Sequence, residues 1–413
     1  MNRIQTRTLS CGMPLVVEHI DGVRSAALQW MVPGGSADDP TDRQGRAAMW
    51  SELLMRGAGA HDSRAHADAF DKLGASRAAD VGTLFMRFSS TTLGERLLDV
   101  LPLVVDMVRA PRFDADAIEP SRDLALQAID SLKDDPQERA MLAARARHYP
   151  TPLERSGMGT PDGLRALTRA ELVDGWTAIA RPGRSYIAAA GNVDIDTLAP
   201  RLDALLQGWT GNAPEPTRGM VPARGYAHEL DESNQVQVVV LHDAPPEPHA
   251  DSLLEKLVVS VLSGGMSGRL FSEVREKRGL CYTVSAGYAG GKDFGGVTAY
   301  VGTTPERAQE SLDVLLSELN RIHTPAGRIT PEEFHRAVVG MKSRLIFSGE
   351  STGARASALA ADIHRMGRPR SLAELAAEVD RVTLDQLNAY LARRTMGTLT
   401  IQTLGPAALK SPV

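Results

Sequence analysis

The chain has 413 residues, of which 43% are hydrophobic and 23% charged, with a net charge of -5. That length suits roughly two or three domains, and the composition is that of a folded globular protein. The slight acidity supplies no broad basic surface, so nucleic acid is not an expected partner, and without a run near the roughly 18 apolar residues of a span, neither is a membrane.

The opening Met1-Asn-Arg-Ile-Gln-Thr lacks the apolar core of a signal peptide, and the expected location is cytoplasmic. A signal removed beforehand would leave the same start on a periplasmic chain. Cys11 and Cys281, one in each half, have a spacing that fits neither a disulfide framework nor a zinc knuckle, and both read as buried thiols.

The first half opens with strand-like runs at 4–9, 14–18 and 25–32, and Gly34-Gly35 turns the chain before a polar loop. A helix is expected over 45–56 with Gly57 as its stop, a second over 65–73, then strands at 76–80 and 84–90. Long helices come next over 94–109 and 115–147, the latter broken near Pro136. Thr168 and Glu171 form a capping box for a helix running to Arg181, and 186–190 is the half's last strand. Residues 208–224 hold several prolines and glycines without periodicity, which marks a linker. Glu229 to Glu232 reads as a solvated loop before a strand at 236–242.

The second half repeats the first. Thr91-Thr92 recurs as Thr303-Thr304, 212 positions on; Asp99-Val100-Leu101 recurs as Asp313-Val314-Leu315, 214 on. The capping Thr168 recurs as Thr383, 215 on, and Ala190-Gly191 matches Leu404-Gly405. Internal self-similarity of this kind marks duplicated units. The expected division is therefore 1–207, a linker at 208–224, and 225–413. Each half reads as α+β, with helices packed on a mainly antiparallel sheet, and two such halves related by approximate two-fold symmetry would form a cupped molecule.

The stretch from Leu262 to Tyr288 carries the densest signal. After Gly264, Gly265 and Met266, Ser267 is placed to cap a short helix reaching about Lys277, and Gly279 to end it in the left-handed region. Phe271 reads as core. Tyr282, Val284, Ala286 and Tyr288 then alternate onto one strand face, which brings Arg275 and Tyr282 close across a tight turn. On these residues alone the segment reads first as an ordinary helix, turn and strand with a solvated basic face of Arg269, Arg275, Lys277 and Arg278. The glycine pair lacks the Gly-Lys-Ser/Thr continuation of a P-loop.

Two duplicated α+β halves with Gly-Gly-Met-Ser-Gly-Arg-Leu-Phe and Arg-x6-Tyr in the second resemble the insulinase/pitrilysin family of zinc peptidases, nearest its two-domain processing-peptidase branch. The resemblance extends over 45–57, Asp134-Asp135-Pro136 and 157–164. It implies an H-x-x-E-H zinc motif on a first-half helix and a glutamate ligand from a later helix. Aligned on Gly45 and Gly57, the ligand histidines fall at Ala48 and Glu52 and the general base at Ser51; the family's Glu-Glu-Ile before its Asp-x-Pro turn falls on Gln127-Ala128-Ile129, which puts the third ligand at Ala128. Zinc needs three donors from His, Cys, Asp or Glu and a water that a base can deprotonate. This chain is therefore expected to hold no metal. Arg275 and Tyr282 match the family's substrate-orienting pair, and Gly264, Gly265, Ser267 and Arg269 are expected near bound peptide.

The sequence leaves three readings open. The first is a non-catalytic subunit of a heterodimer, whose H-x-x-E-H partner carries the zinc while this chain supplies Arg275 and Tyr282 in trans to a peptide substrate. The second is a metal-free homodimer that binds peptide or acts as a scaffold. The third is a peptidase with an unrecognised metal set drawn from Glu52, His61, His66 and His148.

Overall fold

The computed structural model describes residues 3–411. The chain forms two compact units, and neither is a continuous stretch. One comprises Met1–Ser131, Pro150–Met220 and Ser348–Arg370; the other Leu132–Tyr149, Val221–Phe347 and Ser371–Val413.

The first unit is built on six strands: β1 (Arg3–Thr8), β2 (Pro14–His19), β3 (Ser25–Pro33), β4 (Ser76–Val81), β5 (Phe85–Leu93) and β6 (Tyr186–Gly191). They lie in the order β1-β2-β6-β3-β5-β4, antiparallel except where β2 runs alongside β6. The second has β7 (Gly225–Leu230), β8 (Val236–Ala244), β9 (Cys281–Gly290), β10 (Gly295–Thr303) and β11 (Thr400–Gly405), ordered β9-β10-β8-β11-β7. Here too a single pair, β11 with β7, is parallel. The two orders superpose, β4 answering to β9 and β2 to β7, with β1 as an extra strand. The duplication legible in the sequence is thus a duplication of fold, and both capping boxes form, at Thr168 with Glu171 and at Thr383 with Gln386.

Four helices position the sites or close the sheets: α1 (Arg46–Leu53), α2 (Ala115–Asp130), α3 (Pro136–His148) and α4 (Thr352–Met366). The first two belong to the first unit. The others are exchanged: α3 comes from the first half of the sequence but packs on β8 and β11, whereas α4 comes from the second half and packs on β3 and β6. Sheet chemistry explains why. Val16, Ala27, Met31, Ala188 and Ala190 form a second apolar face on the first sheet, which Ala356, Leu359 and Ala360 of α4 cover. Fully burying such side chains contributes about 1.5–3 kcal/mol for each large one. Across the same contact Arg355 pairs with Glu18 at 2.5 Å, both almost wholly buried. In the second unit Arg147 of α3 donates to the Gly225 carbonyl at 3.1 Å, and the His148 ring meets the Thr400 hydroxyl at 3.0 Å.

Several sequence expectations shift. The helix expected over 45–56 stops at Leu53, because Gly57 sits in a short two-residue strand paired with Asp62. Ile195–Leu205, which the sequence pattern did not declare, is a helix capped by Asp194. The segment 229–232 is not a solvated loop: Glu229 lies in β7, and Arg139 of α3 bonds both Glu229 and Asp231. Both cysteines are half-buried rather than enclosed.

The Arg355–Glu18 pair gives a stability prediction. Arg355→Ala leaves a buried carboxylate without its cation and should cost about 3–5 kcal/mol in chemical denaturation. The double variant Arg355→Met with Glu18→Gln should recover most of that loss, and a near-neutral single variant would contradict the assignment.

Candidate functional site

The four positions aligned with the zinc motif meet in the first unit. Asp39 fixes the start of α1, accepting from the backbone N–H groups of Gly45 (2.7 Å) and Ala47 (3.0 Å). Burial pushes its carboxyl up to about 6 against those bonds. Gly159 packs so tightly on Gly45 that a Cβ there would lie 2.2 Å from the Gly45 Cα. On the buried side of α1, Trp50 donates to the Leu172 carbonyl at 3.0 Å and meets Trp176 edge-on, the ring centroids 5.2 Å apart. That seating turns the i, i+3, i+4 set of Ala48, Ser51 and Glu52 toward α2.

A pocket of about 180 Å³ lies there, lined by Ala48, Ser51 and Glu52 of α1, Leu124, Ala125 and Ala128 of α2, and Val81, Gly157 and Met158. Its donor set does not fit zinc. Ala48 and Ala128 offer methyl groups. The Ser51 hydroxyl donates to the Ala48 carbonyl at 2.8 Å, and Glu52 is a single carboxylate 3.8 Å from Arg56. The third candidate metal set does not assemble either. The His61 and His66 rings are 6.5 Å apart, and buried His66 bonds Arg77, with burial and the Arg77 charge holding its imidazole down to about 4. Among the described residues no group of three or more His, Cys, Asp and Glu side chains is placed to hold a metal ion.

The second constellation lies wholly in the other unit. A helix over Ser252–Ser263 ends in a loop where Gly264, Gly265, Met266 and Ser267 are exposed. Ser267 makes no helix cap: helical structure resumes at Arg269 and widens to a π-helix over Phe271–Glu276. Such wide turns recur at functional sites. Arg269, expected beside a peptide, is instead buried in a structural clamp. Its guanidinium binds both oxygens of Glu333, at 2.7 and 2.8 Å, and donates to the Gly327 and Arg328 carbonyls. Its donors are therefore not open to a substrate.

Gly279 ends the segment at a φ of 60°, as its position suggested, with the Leu280 N–H reaching back to the Val274 carbonyl. The strand then departs from simple alternation. Cys281 pairs with Thr303 and Thr283 with Gly302, so Tyr282 sits on a bulge. Bulges re-aim side chains. Tyr282 leaves the face shared by Val284, Ala286 and Tyr288 and is 81% exposed. Phe271 is likewise half-buried rather than core. The Arg275 guanidinium lies 4.7 Å from the Phe271 ring centroid and 5.0 Å from that of Tyr282.

The local cations differ in their partners. Lys277 and Arg278 both bind Glu273, at 2.7 and 2.8 Å, and these bonds lower its carboxyl. Arg269 holds Glu333. Among the described residues Arg275 has no carboxylate partner and is steadied by aromatic rings alone. Burial pushes the thiol of nearby Cys281 up to about 11. A stacked guanidinium without a carboxylate partner, beside an exposed phenol, has the donor geometry to bind a carbonyl or carboxylate oxygen.

The comparisons with known proteins agree with this architecture. The profile of the insulinase peptidase family, M16, matches residues 15–161, and that of the peptidase M16 inactive domain matches residues 166–341. The chain belongs to the insulinase (M16) peptidase family. An uncharacterized zinc protease of Mycobacterium tuberculosis is 28% identical to this M16 chain over 98% of its length and 93% of the relative's. The uncharacterized zinc protease YmxG of Bacillus subtilis is 24% identical over 95% of each chain. Among solved structures, a peptidase M16 inactive domain from Pseudomonas fluorescens superposes with a TM-score of 0.87 at 22% identity, over 100% of both chains. A chain of complex III2 from Candida albicans gives 0.83 at 16% identity, over 98% of this chain and 96% of that one. Both likenesses are of fold alone. No helix among the described residues is long and apolar enough to cross a membrane.

The two arginines of this segment separate by a simple stability test. Arg269→Ala should destabilise the protein by about 3 kcal/mol, since Glu333 loses its partner in a largely buried site. Arg275→Ala, which gives up ring stacking and no ion pair, should cost less than about 1 kcal/mol. Equal losses in denaturant titrations would contradict this division of labour.

Proposed function

We propose that this chain is the non-catalytic subunit of a heterodimeric M16 peptidase. In this reading the partner chain carries an H-x-x-E-H motif and its zinc, and this chain contributes Arg275 and Tyr282 to the partner's reaction. The observation that carries the reading is the contrast within one segment: Arg269, Lys277 and Arg278 hold carboxylates of the protein, whereas Arg275 does not. A charge kept in place without an internal partner suits an external one.

The chemistry assigned to the pair uses only donors. The Arg275 fork holds a carbonyl or terminal carboxylate of the peptide and fixes its register. The Tyr282 hydroxyl, carried outward by the bulge, donates to the oxygen that gains charge when the scissile carbonyl is attacked. A zinc ion held by the partner's H-x-x-E-H motif would supply the polarised nucleophile. No step is assigned to Ala48, Ser51, Glu52 or Ala128, whose side chains do not form a metal set.

A second reading is a metal-free homodimer of this chain that binds peptide. The largely apolar lining around Ala48 and Ala128 suits it, since such a pocket needs no ion. The two readings diverge when an H-x-x-E-H subunit of the same family is added. The heterodimer reading expects peptidase activity in the mixture, with Tyr282→Phe in this chain lowering turnover by roughly 100- to 1,000-fold, the cost of one oxyanion donor. Arg275→Ala should act mainly on KM. If neither substitution alters turnover or KM of an active mixture, the in-trans role is wrong.

A further inference from the structure

We propose that the pocket between α1 and α2 is a receptor for one apolar side chain of a peptide, of isobutyl to benzyl size. The inference does not depend on the in-trans role of Arg275 and Tyr282.

Size and lining point to this occupant. The pocket holds about 180 Å³, and an apolar cavity of about 150 Å³ is enough to take up benzene. Six of its nine lining residues, Ala48, Val81, Leu124, Ala125, Ala128 and Met158, present only methyl, isopropyl, isobutyl or thioether groups. Ser51 is the sole hydroxyl, and it is turned to its own helix, donating to the Ala48 carbonyl. The one charge, Glu52, disfavours an anionic occupant. Leu124 is 45% exposed at the pocket, a large apolar group that an inserted side chain would cover. Met158 adds a flexible thioether able to adapt to branched or aromatic shapes.

The neighbouring backbone favours a peptide over a free apolar molecule. Val81 is the last residue of β4, and β4 closes the strand order of its sheet, paired with β5 on one side only. An extended peptide along that edge would find main-chain donors and acceptors while placing one side chain beside Val81. The positions aligned with the zinc motif would then read a side chain of the substrate.

The test uses the full chain alone, labelled with 13C-methyl methionine and assigned at Met158 through Met158→Leu. The probes are the blocked tripeptides acetyl-Ala-X-Ala-amide with X as Phe, Leu or Gly, and benzene. Saturable shifts of the Met158 methyl are expected with Phe and Leu, at least about tenfold tighter than with Gly. Ala128→Trp, at an exposed lining position, should fill the pocket and abolish the response; Ala128→Leu serves the same purpose if the larger residue impairs folding. The readout is binding at Met158 by this chain alone, with no partner subunit and no turnover, so the result is separable from any failure of the heterodimer reading. Absent shifts, an equal response to the Gly peptide, persistence in the filled variants, or binding of benzene without either peptide would overturn the proposal.

Discussion

The fold rests on a requirement of sheet chemistry: both faces of the first sheet are apolar, and both must be covered. Helices close in sequence cover one face. The other is sealed by α4, supplied by the far half of the chain, just as α3 is supplied to the second sheet. A simple division at residues 208–224 contains no such exchange. Separated there, each half would lose the helix that closes its sheet and would leave behind a buried charge or a row of apolar strand residues. Arg355 and Glu18 make that exchange specific, because an unpaired buried ion costs far more than the pair contributes.

Within this shared frame the two units have developed opposite chemistry at their loops and helix ends. In the first, the α1 face presents a largely apolar pocket where the family's motif would place donors. In the second, a crowded basic segment is neutralised internally at every cation but one. The means differ as well. The pocket arises from small residues at three helical positions and a glycine-packed loop, whereas the arginine site depends on irregularity. A π-turn sets Arg275 over Phe271, and a one-residue bulge carries Tyr282 out of the strand face to join them. Regular helix and strand geometry would have left the phenol on the half-buried face with Val284 and Ala286.

Much of this architecture is legible from residues alone, for identifiable reasons. Caps are local: Thr168 and Thr383 declare their helices through the residue three positions later, and Gly279 declares its turn through conformational freedom. The duplication is legible because capping and helix-start residues recur at a near-constant offset. Ala48, Ser51 and Glu52 are placed by Gly45 and Gly57, since helical spacing sets what lies between, and Ala128 by its distance from the Asp134-Asp135-Pro136 turn. Features decided at a distance escape such reading. Arg269 is clamped by Glu333, 64 residues away, and no local pattern distinguishes it from Arg275. Glu229 looks solvated until Arg139 meets it. The exchange of α3 and α4 is likewise invisible locally, because an apolar helix face does not say which sheet it covers. The Tyr282 bulge depends on register with β10, which alternation within β9 does not encode.

Metal analysis tests the central contrast most directly. The purified wild-type chain should carry far less than one zinc per molecule after dialysis against a metal-buffered solution. A variant given the family's donors, with Ala48→His, Ser51→Glu, Glu52→His and Ala128→Glu, should retain about one. Equimolar zinc in the wild-type chain would contradict the account, because the ion would then be held by residues that the structure does not bring together.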